Sequence, residues 1–178
     1  MERISPALVR QARKGDPQAF TQLILQHEQI LSRVSLSILK DPDDAADAVQ
    51  DAILAAWQEM GKLREANYFT TWLVRILINK CYQISAVRNK YTHSQLEEAL
   101  CREEPPDWDS SLDIRATLER LKPEDKLLLG LYYYDGLSVK EIAKALDLRE
   151  DCIKQRLHRG RKRFQAAYVK KEVLSHDK

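Results

Sequence analysis

Residues that break helices are scarce in this sequence, which holds five glycines and six prolines among 178 residues. Almost every apolar pattern that remains has helical rather than alternating period, so the chain reads as all-α and strands are required nowhere. Cysteine is also sparse. Cys81, Cys101 and Cys152 are odd in number and far apart, which fits a reducing compartment better than a disulfide framework. They form no metal-ligand spacing with the four histidines, so no metal site is expected. A signal-peptide pattern is missing, and no apolar run approaches the roughly twenty residues needed to cross a bilayer. The expectation is a cytoplasmic protein with no direct membrane insertion. Also missing are a nucleophile elbow, a phosphate loop, a Cys/His pair and a paired-carboxylate constellation, which argues against an enzyme, a cofactor or a small-molecule substrate.

A hydrophobic content of 44% with 31% charged residues belongs to a folded, soluble chain rather than a disordered one. The net charge is only +2. That balance conceals segregation. From Ala66 through Leu96 no Asp or Glu occurs, although 27 of the 178 residues are acidic.

The most informative stretch runs from Leu137 to Phe164. Ser138 can cap a helix, Glu141 completes a capping box, and Leu137 with Ile142 is placed as a hydrophobic staple. Asp135-Gly136 ends the helix before it. Ile142, Ala143 and Leu146 give the short helix an inward face, and Asp147-Leu148-Arg149 forms a turn. A second helix begins near Glu150. At about 100° per residue, Ile153, Leu157, Gly160 and Phe164 share one stripe, with Asp151, Gln155, His158, Arg159 and Lys162 opposite and Lys154, Arg156, Arg161 and Arg163 on the flanks. Seven basic residues against two acidic ones between Arg149 and Arg163 distinguish this segment from an ordinary solvated helix. It reads as a helix-turn-helix whose second helix enters the major groove while flanking cations neutralise phosphates.

Four helices are expected ahead of it. The first, about Pro6 to Lys14, stops at Gly15. Asp16 and Pro17 open the second, whose core face is Phe20, Leu23, Ile24, Ile30, Leu31, Val34 and Ile38. Asp41 and Pro42 open the third, which runs to Met60 with Ala45, Val49, Ala52, Ile53, Ala56 and Trp57 inward. The fourth spans about Thr70 to Arg88. Between Thr92 and Leu112 periodicity fades, Pro105-Pro106 interrupts and acidic residues dominate, which marks a linker that is partly helical around Gln95 to Cys101 or not at all. A carboxy-terminal module follows from Leu112, with Leu118, Leu121, Leu127, Leu128, Leu131 and Tyr132 leading into the helix-turn-helix. The architecture is therefore two small helical domains, a four-helix amino-terminal one over 1–91 and a helix-turn-helix one over 112–178, joined by an acidic linker over 92–111.

The acid-free window combines Arg75, Lys80, Arg88 and Lys90 with Tyr68, Phe69, Trp72, Tyr82 and Tyr91. Aromatic rings stack on unpaired bases while cations follow the backbone, so the window suits single-stranded nucleic acid. Trp72, Leu73, Ile76 and Leu77 read individually as core, and Arg75, Asn79 and Lys80 as exposed. The third helix has the opposite character. Asp43, Asp44, Asp47, Gln50, Asp51 and Glu59 form an acidic face that repels DNA and is either plain solvent surface or a protein-docking surface.

Together these residues resemble the extracytoplasmic-function class of bacterial sigma factors, and the likeness covers nearly the whole chain. Gly15, Asp16, Ala19 and Phe20 carry GD..AF; Asp41 to Trp57 carries DPDDAADAVQDAILAAW; Phe69, Thr71, Trp72, Leu73, Ile76 and Asn79 carry F.TWL..I..N. Gly136 to Leu146 and Ile153 to Phe164 supply the last two blocks. The resemblance implies a subunit that binds core RNA polymerase, at its clamp helices and flap, and directs initiation without catalysis of its own. It assigns Asp43, Asp44, Asp47, Gln50 and Asp51 to core binding. Arg64, Asn67, Tyr68, Trp72, Arg75, Asn79 and Lys80 then take the minus-10 element, partly as single strand. Lys154, Gln155, Arg156, His158, Arg159 and Lys162 take the minus-35 duplex. A cognate anti-sigma protein is a further implied partner. The segments that primary sigma factors carry ahead of and between these modules are absent, as in a specialised regulator. Asp151-Cys152 stands where the family commonly has Gly-Thr, Gln155 where Ser is common and Gly160 where Ala is common, which touches the minus-35 preference rather than the fold. A stand-alone helix-turn-helix regulator is the competing reading, but it leaves the acid-free aromatic window without a role.

Overall fold

The computed structural model describes residues 5–87 and 123–175, with side chains described for 5–87 and 125–162. The expected linker, and the start of the second module at Leu112 with Leu118 and Leu121, lie outside the described residues. In chain order the helices are α1 (Pro6–Arg13), α2 (Pro17–Leu39), α3 (Pro42–Glu59) and α4 (Phe69–Val87), then α5 (Pro123–Leu129), α6 (Val139–Leu146) and α7 (Glu150–Ser175). Among the described residues there is no strand.

Each early helix begins where its cap chemistry dictates. The Asp16 carboxylate accepts from the Gln18 and Ala19 amides at 2.9 and 3.1 Å, and Asp41 does the same for Asp43 and Asp44 at 3.0 and 3.1 Å. In both cases proline follows, its fixed φ suiting the first turn and its missing N–H costing nothing there. α2 stops at Lys40, which takes a left-handed φ of 61° while its amide bonds to Leu36 O at 3.0 Å. Two short 3₁₀ turns, Met60–Lys62 and Ala66–Tyr68, then carry the chain from α3 to α4.

α2, α3 and α4 pack on one another with α1 across α2. The seam of α3 is made of Ala45, Ala48, Ala52 and Ala56, small side chains that let the helix axes approach closely. That seam is rotated from the expected one. Val49 and Ile53 are only partly buried and Trp57 is 37% exposed, its ring 5.0 Å from Phe20 at the rim. On α2, Phe20, Leu23, Ile30, Leu31 and Val34 are buried as expected, Ile24 and Ile38 are only partly so, and Ala19, His27, Ser35 and Leu39 are buried in addition.

In the second module α5 runs into one π-helical turn, Gly130–Tyr134, closed by the Asp135 amide on Gly130 O at 3.0 Å. Gly136 follows with φ 68°, and the Leu137 amide reaches back to Leu131 O at 2.9 Å. The positive φ lets the chain reverse into α6 at no Cβ penalty. α6 starts on the expected capping box: the Glu141 amide donates to Ser138 Oγ at 3.3 Å, and Glu141 Oε2 accepts from the Ser138 amide at 2.8 Å. Asp147 ends it in the left-handed region at φ 58°.

The two modules are seated on each other. α5 rests on α2 as well as α7, and α6 lies along α4 as well as α7. One apolar core therefore runs continuously from Val9 to Leu157. The cysteine chemistry expected of a reducing compartment is found at Cys81 and not at Cys152. Cys81 is buried and unbonded, its thiol pushed up to about 12 by desolvation, so it is inert at neutral pH. Cys152 is buried near the start of α7 and disulfide-bonded; Cys101 lies outside the described residues.

Candidate nucleic-acid interface

α7 separates its faces sharply. Cys152, Ile153, Leu157 and Gly160 are buried, whereas Asp151, Lys154, Gln155, His158 and Lys162 are exposed and Arg159 is half-exposed. From Asp151, steps of about 100° place Gln155, His158, Arg159 and Lys162 within one quadrant. Lys154 lies 3.4 Å from Asp151, and Arg159 Nη2 lies 3.5 Å from Gln155 Oε1. These are loose, solvent-facing contacts that a competing phosphate or base edge can replace.

Arg156 does not belong to that surface. It is 2% exposed, and its Nε donates to Asp125 Oδ1 at 2.6 Å, tying α7 to α5. Its placement among the DNA-facing cations is corrected on that ground: burial removes it from any phosphate, and its charge is consumed inside the module.

The second group of cations and aromatics follows α4 and the turn before it. Arg64 and Asn67 are exposed in that turn, which Arg13 secures by donating to Arg64 O at 3.4 Å. Tyr68, Trp72, Arg75 and Asn79 lie four, three and four residues apart and so fall on one helical stripe, with Lys80 to one side. Trp72 is half-buried with its ring 5.9 Å from Phe69, nearer to a core residue than to a stacking platform. Beneath the stripe, the buried His27 links α2 to α4. Its Nδ1 donates to Leu23 O at 2.7 Å, so its Nε2 accepts from the Thr70 hydroxyl at 2.9 Å. That arrangement needs the neutral ring, and desolvation lowers the pKa despite the Leu23 carbonyl, which raises it.

On α3, Asp43, Asp47, Gln50 and Asp51 are exposed along one side of the helix. Asp44 is not; it is 3% exposed and turned into the module, which removes it from the expected docking set. Sequence reasoning missed Leu54, 58% exposed and centred on the same stripe. Its position three residues after Asp51 and seven after Asp47 was the available signal, overlooked because an isolated leucine reads as core.

Two family models match this chain: sigma-70 region 2 over residues 23–90 and sigma-70 region 4 over residues 111–164. The chain belongs to the sigma-70 family. Among its relatives, the extracytoplasmic-function sigma factor SigM of Mycobacterium tuberculosis is 28% identical over 164 residues, 92% of this chain and 84% of that protein. SigW of Bacillus subtilis is 27% identical, covering 90% of this chain and 95% of its own. The sigma-E factor of Escherichia coli is 27% identical over 86% and 88%. The structure of CnrH in complex with the cytosolic domain of CnrY superposes with a TM-score of 0.63 at 26% identity, covering 97% of this chain and 98% of that one. This sigma-70 member falls in the extracytoplasmic-function class. It is a promoter-specificity factor of RNA polymerase that directs transcription initiation, rather than a stand-alone regulator. Sigma factors are not a catalytic family. Among the described residues no helix is long and apolar enough to cross a membrane.

Proposed function

We propose that three surfaces divide the work of promoter recognition in this sigma factor. The polar face of α7, with Lys154, Gln155, His158, Arg159 and Lys162, reads the minus-35 duplex. Gln pairs with adenine edges and Arg with guanine edges, and the lysines neutralise phosphates. The α4 stripe and its preceding turn, with Arg64, Asn67, Tyr68, Arg75, Asn79 and Lys80 and with Trp72 at its edge, takes the minus-10 element. The α3 face, with Asp43, Asp47, Gln50 and Asp51, docks on core polymerase. The domains follow as 1–91 and 112–178 with 92–111 between them. The observation that carries this reading is the faced character of α7: Cys152, Ile153, Leu157 and Gly160 are turned into the module, and Gln155, His158 and Lys162 are left in solvent.

An anti-sigma protein is a further partner, in keeping with the resemblance and with the sigma factor RpoE of Bartonella quintana, solved in complex with the anti-sigma factor NepR. The site of action is the bacterial cytoplasm, where polymerase works. Transcription with purified core polymerase and a promoter-fragment library tests the whole reading, and promoter-dependent transcripts are expected. Arg159→Ala should weaken minus-35 duplex binding by about 1–3 kcal/mol while sparing core association. Asp47→Ala should do the reverse. Equal loss of both activities in either variant would overturn the division of roles, and a palindrome footprinted by the protein alone would favour a dimeric regulator.

A further inference from the structure

Two charged side chains meet inside the helix-turn-helix module, and both are almost wholly out of solvent. Arg156 of α7 and Asp125 of α5 are 2% and 1% exposed, and Arg156 Nε donates to Asp125 Oδ1 at 2.6 Å. Stability does not account for such a pair. Desolvating two charges costs about as much as their attraction returns, and apolar side chains of similar volume usually serve a helix contact as well or better. The other inward residues of α7 are of that kind: Ile153 and Leu157 are buried, and Gly160 faces Leu129 of α5, where an added Cβ would stand 3.5 Å away. Apolar contact is non-directional and tolerates a helix turning on its axis. A short hydrogen bond between two charged groups does not.

The pair is placed where it controls the polar face of α7. At about 100° per residue, Arg156 lies about 60° from the buried Ile153 on one side and about 60° from Arg159 on the other, with Gln155 about 40° beyond Arg159. It thus stands at the seam between the inward stripe and the outward one. Side chains reach about 5–6 Å from a helix axis, so a rotation of about 10° carries Gln155 and Arg159 by about 1 Å. Bidentate pairing with a base edge needs its donors and acceptors held within about 0.5 Å. Phosphate contact is more forgiving, because Lys154 and Lys162 are exposed point charges on flexible stems.

We propose that Asp125 and Arg156 are positioning residues for promoter specificity: their buried pair locks the rotation of α7 on its module, so that Gln155 and Arg159 meet minus-35 base edges in one register. This rests on the assignment of the polar face of α7 to the minus-35 element. Neither residue touches DNA. Their effect is to make duplex binding selective rather than strong.

The test is transcription by the full-length chain with core polymerase, on a promoter recovered from the fragment library and randomised in its minus-35 region. Transcripts are counted per sequence, and the melting of each variant is followed in parallel. In the wild type, a wrong base at a position read by Gln155 or Arg159 should lower output roughly tenfold or more. The D125L/R156M double variant, which fills the pocket with apolar side chains, should melt close to the wild type yet show that penalty reduced to about two- or threefold. Its minus-10 preference should not change. Nor should the salt dependence of its binding to mixed-sequence duplex, since the exposed cations remain. R156K keeps the charge but lacks the planar fork, and should flatten the minus-35 preference in the same direction. A pair that serves the fold alone would lower output from all sequences in proportion and leave their ranking intact. Full discrimination in a variant that is folded at the assay temperature, or failure of both variants to fold, would overturn the proposal. Arg159→Ala distinguishes the underlying assignment: if it leaves the minus-35 ranking unchanged, the reading face itself is wrong and the proposal falls with it.

Discussion

Arg156 shows how charge misleads at the scale of one residue. Its angle on α7 lies beside Ile153 and Leu157, yet a cation in a basic run reads as a phosphate ligand. Asp125, 31 residues earlier, supplies the buried partner that makes the inward position tolerable. Arg156→Met should therefore cost about 3–5 kcal/mol of folding stability, since it removes the guanidinium paired with a buried carboxylate. Urea denaturation measures that loss, and part of it should return when Asp125 is also made apolar. Unchanged stability with weakened duplex binding would restore Arg156 to the DNA face. His27 is a second case in which burial decides chemistry. Its folded-state pKa lies below the ordinary 6.5, so the unfolded chain takes up the proton first as pH falls. Stability from the neutral ring is thus complete above pH 6.5, declines as pH drops below it, and levels off beneath the folded pKa. Denaturation midpoints across that window should show this slope in the wild type and a flatter profile in His27→Gln.

At the scale of the element, caps were legible and faces nearly so. Asp16-Pro17, Asp41-Pro42 and Ser138 with Glu141 place three helix starts correctly, because an N-cap is satisfied by amides two or three residues away. The inward face of α3 was read with an error of about one position. Its true seam is alanine, whose small apolar signal is weaker than that of Ile53 or Trp57. The same rotation brings Leu54 into the middle of the acidic stripe. In the docking role proposed for α3, an exposed leucine ringed by Asp47, Gln50 and Asp51 would serve as the apolar anchor inside a polar rim. Leu54→Ala should lower affinity for core polymerase by about 1 kcal/mol or more, roughly fivefold at least, with thermal stability unchanged. A core-binding titration that separates it from wild type by less than Asp47→Ala would remove Leu54 from that role.

At the scale of the molecule, the sequence supports two modules and a linker without stating how the modules meet. Leu127, Leu128 and Leu131 are recognisable as apolar, but nothing local says that α5 will bury against α2 as well as α7. Nor does charge patterning reveal that Asp135 answers Arg33 across 102 residues. The candidate site is legible to the same degree. Its candidate residues come from the acid-free window and the basic helix, whereas the contacts of Lys144 with Tyr68 and of Asp147 with Arg75 emerge only when two distant segments are brought together.

The sequence by itself determined the helical class, the helix starts, the helix-turn-helix and the three charge territories, because those depend on periodicity, capping and composition over a few turns of chain. Tertiary structure alone decided that Arg156 and Asp44 are inside, that Leu54 is outside, and that one module closes over the other. Those outcomes turn on desolvation and on partners far away in sequence, and burial is a property of the packed chain rather than of any segment within it.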